Sequence, residues 1–246
     1  MATGSLNNSP STRCSYSNDG ITWINNTMPA SAKWNFPVWN GNIFFVMDSD
    51  TVGASSSDGI TWKLYALPTP SSGTGWANIG NSGSVIILTR SIAIGNLFES
   101  AWSDNGGASW HLVTTALSYL NPSGAVNNIG ADGTGKVVVV SSDGATVSLN
   151  NGASWTRYTM VGTTSWYSVV YGNGTWVAAS AGGASGSIIA TSPDGIFWTN
   201  RGASPISAIP KLFFNGSQFS MVGLSGSSQS FSTSSDGITW TVAVST

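Results

Sequence analysis

The stretch Ser56-Ser57-Asp58-Gly59-Ile60-Thr61-Trp62 recurs in variant form six times along this chain of 246 residues. Every copy ends in tryptophan, and the third residue before that tryptophan is always glycine. Successive copies are 39, 48, 45, 43 and 42 residues apart, so they follow one another along the whole sequence. The six tryptophans are Trp23, Trp62, Trp110, Trp155, Trp198 and Trp240.

The segments between copies predict two further strands in most repeats. One example is Trp166–Tyr171, a turn at Gly172–Gly174, and a second strand at 175–180. Another is Trp76–Ile79 with a turn at Gly80–Gly83. Each unit therefore reads as four strands, A to D, with the repeated stretch between C and D. A period of this size built from β-type residues predicts an all-β propeller, with one sheet, or blade, per repeat.

The repeats are unequal at the start of the chain. Six C–D turns are present but only five A–B pairs, so we predict about six four-stranded blades, of which five are complete and the N-terminal one is partial. Residues 1–14 form an N-terminal arm in this interpretation, and residues 1–246 form a single domain. The alternative is a five-bladed propeller with an accessory N-terminal hairpin. An incomplete blade leaves a strand edge open, which favours covering by a partner or by self-association.

The repeated stretch has the composition of a tight turn. Four copies place Asp directly before the glycine, and Asp-Gly accepts the positive φ that such a turn requires. We interpret these residues as structural and assign them no metal. They are Asp19, Gly20, Trp23, Asp58, Gly59, Trp62, Gly107, Trp110, Gly152, Trp155, Asp194, Gly195, Trp198, Asp236, Gly237 and Trp240.

This turn resembles the Asp-box (BNR) repeat, whose pattern is Ser-x-Asp-x-Gly-x-Thr-Trp. The closest copies are 103–110 and 148–155, in which Asn105 and Asn150 stand in the Asp position. The resemblance implies a propeller whose box turns lie on the face opposite the usual ligand face. Members include sialidases, other glycosidases, receptor ectodomains, assembly factors and phage or bacterial surface proteins, so the resemblance does not select an activity.

Charged residues make up only 7% of the chain, and the formal net charge is −2. Without a basic cluster, nucleic-acid binding is not expected. Residues 1–13 lack the pattern of a secretory signal, and no apolar run is long enough to span a membrane. A polar, weakly charged surface without an export signal is typical of virion proteins that are released by lysis. We therefore expect a virion-surface location, extracellular after lysis.

The catalytic residues of a sialidase are not all present in the sequence. Only Arg13, Arg90, Arg157 and Arg201 could supply an arginine triad, and Glu99 is the only glutamate. A glycosidase needs two carboxylates across a sugar pocket, and Asp50 and Glu99 on neighbouring B–C connections are one such pair. The carboxylates outside the boxes are Asp48, Asp50, Glu99, Asp132 and Asp143. His111 is the only histidine and Cys14 the only cysteine, so neither a zinc site nor a disulfide is expected. We predict no enzymatic activity, no cofactor and no metal.

Aromatic residues outside the boxes are the candidate ligand-binding residues. An indole can stack on a sugar ring, and the same indole can instead fill the wedge between two blades. Long excursions between 88 and 122 favour this part of the propeller as the site, because irregular loops on a rigid scaffold often carry function. The candidates are Trp34, Trp76, Trp166, Tyr65, Tyr119 and Tyr167.

These observations favour a non-enzymatic propeller on a phage virion, as a head decoration or tail-fibre module. It would dock on other virion proteins, contact host glycans, or both. The principal alternative is a free-standing lectin that binds neutral glycans. A glycosidase-like enzyme and an intracellular assembly factor are further alternatives.

Overall fold

The computed structural model describes residues 2–3, 10–48, 50–71, 75–92, 97–116, 126–142, 144–162, 165–182, 186–225 and 228–243. Within these ranges the regular structure is entirely β. It forms six antiparallel sheets, of which five have four strands and the first has three. The all-β fold with five complete blades and a partial first blade is therefore confirmed.

In every sheet the strands follow one another in chain order, and the box turn always precedes the last strand. The first sheet contains β1 (Ala2–Thr3), β2 (Ser11–Tyr16) and β3 (Ile24–Ala32). The second contains β4 (Asn35–Trp39), β5 (Phe44–Met47), β6 (Val52–Ser56) and β7 (Lys63–Ala66). The third contains β8 (Asn78–Ser82), β9 (Val85–Ile92), β10 (Leu97–Ser103) and β11 (His111–Ala116).

The three remaining sheets repeat this plan. The fourth contains β12 (Val126–Ala131), β13 (Val137–Ser141), β14 (Gly144–Ser148) and β15 (Thr156–Tyr158). The fifth contains β16 (Ser165–Gly172), β17 (Thr175–Ala181), β18 (Ile188–Ser192) and β19 (Thr199–Ala203). The sixth contains β20 (Ala208–Phe214), β21 (Phe219–Ser225), β22 (Ser228–Ser234) and β23 (Thr241–Ala243).

The predicted turn at Gly80–Gly83 is wrong by two residues. Gly80 lies inside β8, and the turn joins Ser82 to Val85. A Cβ at Gly80 would lie 2.9 Å from the side chain of Ile129 in the next sheet. Glycine is therefore needed here for sheet packing rather than for a turn.

The core consists of five apolar clusters, and each cluster joins two consecutive sheets. The central strand β13 reads Val137-Val138-Val139-Val140, because its alternate residues enter clusters on opposite sides. A strand buried on both faces loses the usual polar alternation. Among the described residues, no such cluster joins the sixth sheet to the first.

Neutral polar side chains also connect neighbouring sheets. Oδ1 of Asn128 in the fourth sheet accepts a hydrogen bond from the Val169 N–H in the fifth, at 3.1 Å. Oγ of Ser168 in the fifth sheet accepts one from the Leu212 N–H in the sixth, at 2.9 Å. Both bonds lie beside bulges, where the backbone register within a sheet shifts. Serine and asparagine side chains thus accept hydrogen bonds from backbone N–H groups of the edge strands β16 and β20.

The box glycines of the third to sixth sheets lie against the preceding sheet, which predicts unequal costs for glycine substitutions. Gly20 and Gly237 both have φ of +74°, but a Cβ on Gly20 meets nothing within 4 Å, whereas one on Gly237 would overlap Cγ2 of Val177. We expect Gly20→Ala to cost only the left-handed backbone penalty of about 1–2 kcal/mol. Gly237→Ala should lose a further ~1–3 kcal/mol by overpacking. Urea unfolding measures both, and equal losses would contradict this account of the sheet interface.

Candidate functional site

The box turn is a compact hydrogen-bonded unit. In the second sheet, Oδ1 of Asp58 accepts hydrogen bonds from the N–H groups of Ile60 and Thr61, at 2.8 and 2.7 Å. Ser56 donates its hydroxyl to the same oxygen and accepts the Gly59 N–H, both at 2.8 Å. The same arrangement recurs around Asp19, Asp194 and Asp236. In all four turns, Oδ1 of the aspartate accepts hydrogen bonds from backbone N–H groups of the same turn.

The two copies with asparagine contain one more residue between the serine and the tryptophan. Oδ1 of Asn105 accepts the Ser109 N–H at 2.9 Å, and its amide Nδ2 donates to Oγ of Ser109 at 2.7 Å. Asn150 makes the corresponding bonds to Ser154 at 2.8 and 2.9 Å. A carboxylate in this position would accept both bonds, one from the serine N–H and one from the serine hydroxyl, because a hydroxyl can donate as well as accept. The longer turn therefore fits asparagine here and aspartate in the Ser-x-Asp-x-Gly-x-Thr-Trp pattern.

The tryptophan that ends each box closes the turn from the other side. The indole N–H donates to the carbonyl of the box glycine in four copies, at 3.0–3.2 Å: Trp62, Trp155, Trp198 and Trp240. Two box indoles also pack edge-on against an aromatic ring of the preceding sheet, Trp110 against Phe45 and Trp155 against Phe98. Trp23 differs, because nearly half of its surface is exposed. The later box tryptophans thus join sheets as well as stabilise turns.

The turn hydrogen bonds lower the pKa values of the box aspartates. The N–H groups of Thr61 and Ile60 lower the pKa of Asp58 to about 2, and the equivalent bonds lower that of Asp19 further. The pKa of Asp236 is lowered for the same reason. Partial burial raises the pKa of Asp194, but the N–H groups of Phe197 and Ile196 outweigh it and the net pKa is lowered.

These pKa values predict acid sensitivity. An aspartate whose pKa is lower in the folded chain stabilises the fold above its unfolded pKa of about 4, and this stabilisation is lost as the pH falls towards about 2. Asp58→Asn keeps an acceptor oxygen but removes the charge, so the variant should be less stable at neutral pH. Its urea midpoint should converge with that of the unaltered chain as the pH falls through this window. Two parallel curves would contradict the assignment.

The structure corrects the interpretation of Trp34, Trp76 and Trp166 as sugar-stacking residues. All three side chains are at most 1% exposed, and each lies in a different cluster between two sheets. The indole N–H groups of Trp34 and Trp76 donate to the carbonyls of Ala30 and Pro68. An indole without an exposed face cannot stack on a ligand, so these residues correspond to the wedge-filling alternative.

The tyrosine candidates are not brought together. Tyr65, on β7, is half-buried against the cluster of the second and third sheets that contains Trp76, and the Lys63 ammonium lies 5.1 Å from its ring centroid. Tyr167, on β16, is half-buried in the fifth sheet. Tyr119 lies outside the described residues, as do 93–96 and 117–125 of the long excursions.

The two carboxylates considered for glycoside hydrolysis have different surroundings. Glu99 is completely buried, and its Oε2 lies 3.6 Å from Nε of Arg90, which stands directly opposite on β9. The Ser71 N–H also donates to the Glu99 carboxylate, at 3.1 Å. Asp50 is exposed, and its N–H donates to the neighbouring Asp48 carboxylate. The Arg90–Glu99 pair was not predicted from the sequence, although both residues flank the same B–C connection.

This buried pair yields a prediction that separates a structural carboxylate from a catalytic one. Glu99→Gln retains an acceptor for Ser71 but leaves the Arg90 guanidinium without its opposing charge. Breaking a buried ion pair typically costs about 3–5 kcal/mol. We therefore expect a loss of this order in urea unfolding. An unchanged or higher stability would instead be the behaviour of an active-site residue.

Exposed apolar side chains occupy the tips of the box turns. Ile21 is 85% and Phe197 75% exposed, and equivalent turns of other sheets expose further apolar residues. Because each of these turns joins the last two strands of its sheet, they lie at the same end of the propeller. This box-turn apolar set consists of Ile21, Ile60, Leu149, Phe197 and Ile238.

Other residues with reactive side chains have ordinary environments. His111 stacks on Trp102 with ring centroids 4.0 Å apart. Cys14 is buried, and burial raises the pKa of its thiol. In the described ranges, His, Cys, Asp and Glu form no group of three that could hold a metal ion. No helix in these ranges is long and apolar enough to cross a membrane.

Comparison with known proteins identifies the fold. No protein-family model matches the chain, and no curated protein matches it. Among the solved structures that match is one described as YCF48 bound to D1 peptide, with 17% sequence identity and a TM-score of 0.58. The alignment covers 91% of this chain and 71% of the other. YCF48 is a β-propeller, and this chain has the same fold.

Proposed function

We propose that the chain is a non-enzymatic propeller that docks on other proteins at the surface of a phage virion, as a head decoration or tail-fibre module. The observation that carries the proposal is the box-turn apolar set. Single exposed apolar residues are ordinary on protein surfaces. Their recurrence on equivalent turns of five sheets is instead the pattern of a repeated contact surface.

Two further observations support protein docking. The surface carries few charges, so burial against a partner desolvates few ionic groups. The matching solved propeller is described as bound to a peptide, which is an example of protein recognition by this fold. The polar, weakly charged composition supports a virion location, reached by lysis.

The absence of enzymatic activity is part of the proposal. Glu99 is buried against Arg90, and the box aspartates accept hydrogen bonds from their own turns. The Cys14 thiol has a raised pKa, which disfavours the thiolate that a nucleophile requires. These environments support structural roles for the groups that could otherwise act as acid, base or nucleophile.

A lectin is the second candidate, and one exposed indole favours it. Trp39, at the end of β4, is nearly half exposed and packs against Phe44 with ring centroids 4.4 Å apart. Such a ring can stack on the apolar face of a neutral sugar. Trp39 was not predicted as a binding residue, because its spacing in the sequence does not distinguish it from the buried tryptophans.

Virion docking predicts that the box-turn apolar set is needed for assembly. The chain should be found by mass spectrometry in gradient-purified particles of the phage that encodes it. When supplied to particles that lack it, the double variant Ile21→Asp/Phe197→Asp should bind at least about tenfold more weakly, because burying a carboxylate in an apolar contact is costly.

Leu112→Asp is the matched control, since Leu112 is an exposed apolar residue of β11 outside the box turns. Its binding should equal that of the unaltered chain. Absence from purified particles, or equal loss in both variants, would contradict the proposal. Binding on a glycan array that Trp39→Ala abolishes would favour the lectin instead.

A further inference from the structure

The sixth sheet buries only one of its faces. Leu212, Phe219 and Met221 pack into the cluster shared with the fifth sheet. On the opposite face, Phe213 is 54%, Val222 36% and Phe231 40% exposed. Val222 stands directly opposite both Lys211 and Phe231 in the ladders, and Phe213 lies two residues from Lys211 on β20. Since side chains alternate between the faces of a sheet, these apolar residues share one surface.

The same register positions are buried in the fifth sheet. Phe214 and Phe219 pair beside the A–B turn as Tyr171 and Trp176 do in the fifth sheet. Positions in the two sheets can be matched by counting along the strands from these two aromatic pairs. By this count, Phe213, Val222 and Phe231 correspond to Val170, Ala179 and Ile189. These three residues of the fifth sheet pack in the cluster that the sixth sheet covers. The outer face of the sixth sheet is thus a sheet-packing surface with no sheet on it among the described residues.

The first sheet does not offer a matching surface. Its face turned away from the second sheet carries Arg13 opposite Thr27 and Ser15 opposite Asn25. The Ser15 hydroxyl donates to Oδ1 of Asn25 at 3.2 Å. Burying this polar face against Phe213 and Phe231 would desolvate a guanidinium without a partner, which is unfavourable.

We propose that the outer face of the sixth sheet binds the same face of a second copy of this chain, in a two-fold symmetric dimer. Like faces match because each is apolar, whereas contact between the sixth sheet of one copy and the first sheet of another would pair apolar with polar surface. Lys211 is the only charged residue in β20–β23, and it lies on the edge strand β20, where its long side chain can reach solvent. A self-complementary patch is what an isologous interface requires.

The size of the face predicts a weak dimer. Three strands of seven residues and one of three, spaced by about 4.8 Å, give a face of about 380 Å² per copy. Two copies bury about 760 Å², below the ~1,200–2,000 Å² of stable complexes. The association should therefore depend on concentration. This inference uses a different set of side chains from the virion proposal and does not rest on it.

Sedimentation velocity of the chain over a range of concentrations tests the dimer. We expect a reversible monomer–dimer equilibrium, and Phe231→Asp should weaken it by more than about a hundredfold by burying two carboxylates at the interface. Leu64→Asp is the matched control, because Leu64 is 41% exposed on the last strand of the second sheet. It should dimerise as the unaltered chain does.

Val222→Ser is a milder variant, and it keeps the proposal testable if Phe231→Asp does not fold. It should keep the thermal midpoint close to that of the unaltered chain and weaken the dimer by about fivefold, because each copy loses part of an apolar side chain. A monomer at every concentration would overturn the proposal. A dimer whose dissociation constant is unchanged by Phe231→Asp and Val222→Ser would also overturn it. The same holds if this face of the sixth sheet binds a different protein and not a second copy.

Discussion

The structure depends on the close approach of four box glycines, those of the third to sixth sheets, to the sheet that precedes each of them. The serine and aspartate, or asparagine, of the box hold the turn in the conformation that needs positive φ, and the missing Cβ lets the turn reach the preceding strand. One short turn thus closes a hairpin and also fits two sheets together. The contacts are Gly107 with Phe45, Gly152 with Ile87, Gly195 with Val138, and Gly237 with Val177.

The low charge of the chain follows from how its polar groups are used. Asn128 and Ser168 accept backbone N–H groups across sheet boundaries, and Asn105 and Asn150 both accept and donate within their turns. Neutral amides and hydroxyls can be buried in such places at lower cost than ions. The buried Arg90–Glu99 pair is an exception, and it is held by a direct cross-strand register.

Repetition made the fold predictable. The Gly and Trp positions of each box act locally, so six turns and a partial first sheet could be predicted from spacing alone. Gly80 was placed in a turn because only the neighbouring Ile129 reveals its role. Three tryptophans were considered as binding residues because the position of a tryptophan in the sequence does not show whether a neighbouring sheet buries its side chain. They are Trp34, Trp76 and Trp166. The exposed Trp39 was missed for the same reason.

The sequence by itself determined the class of fold, the number of sheets and the chemistry of the turns, because these depend on contacts within a few residues. Only the tertiary structure decided which faces are covered. Phe213, Val222 and Phe231 occupy the same register as Val170, Ala179 and Ile189, and both sets are mostly apolar. One set is buried and the other exposed because burial depends on the next sheet, and in the described residues no sheet packs beyond the sixth.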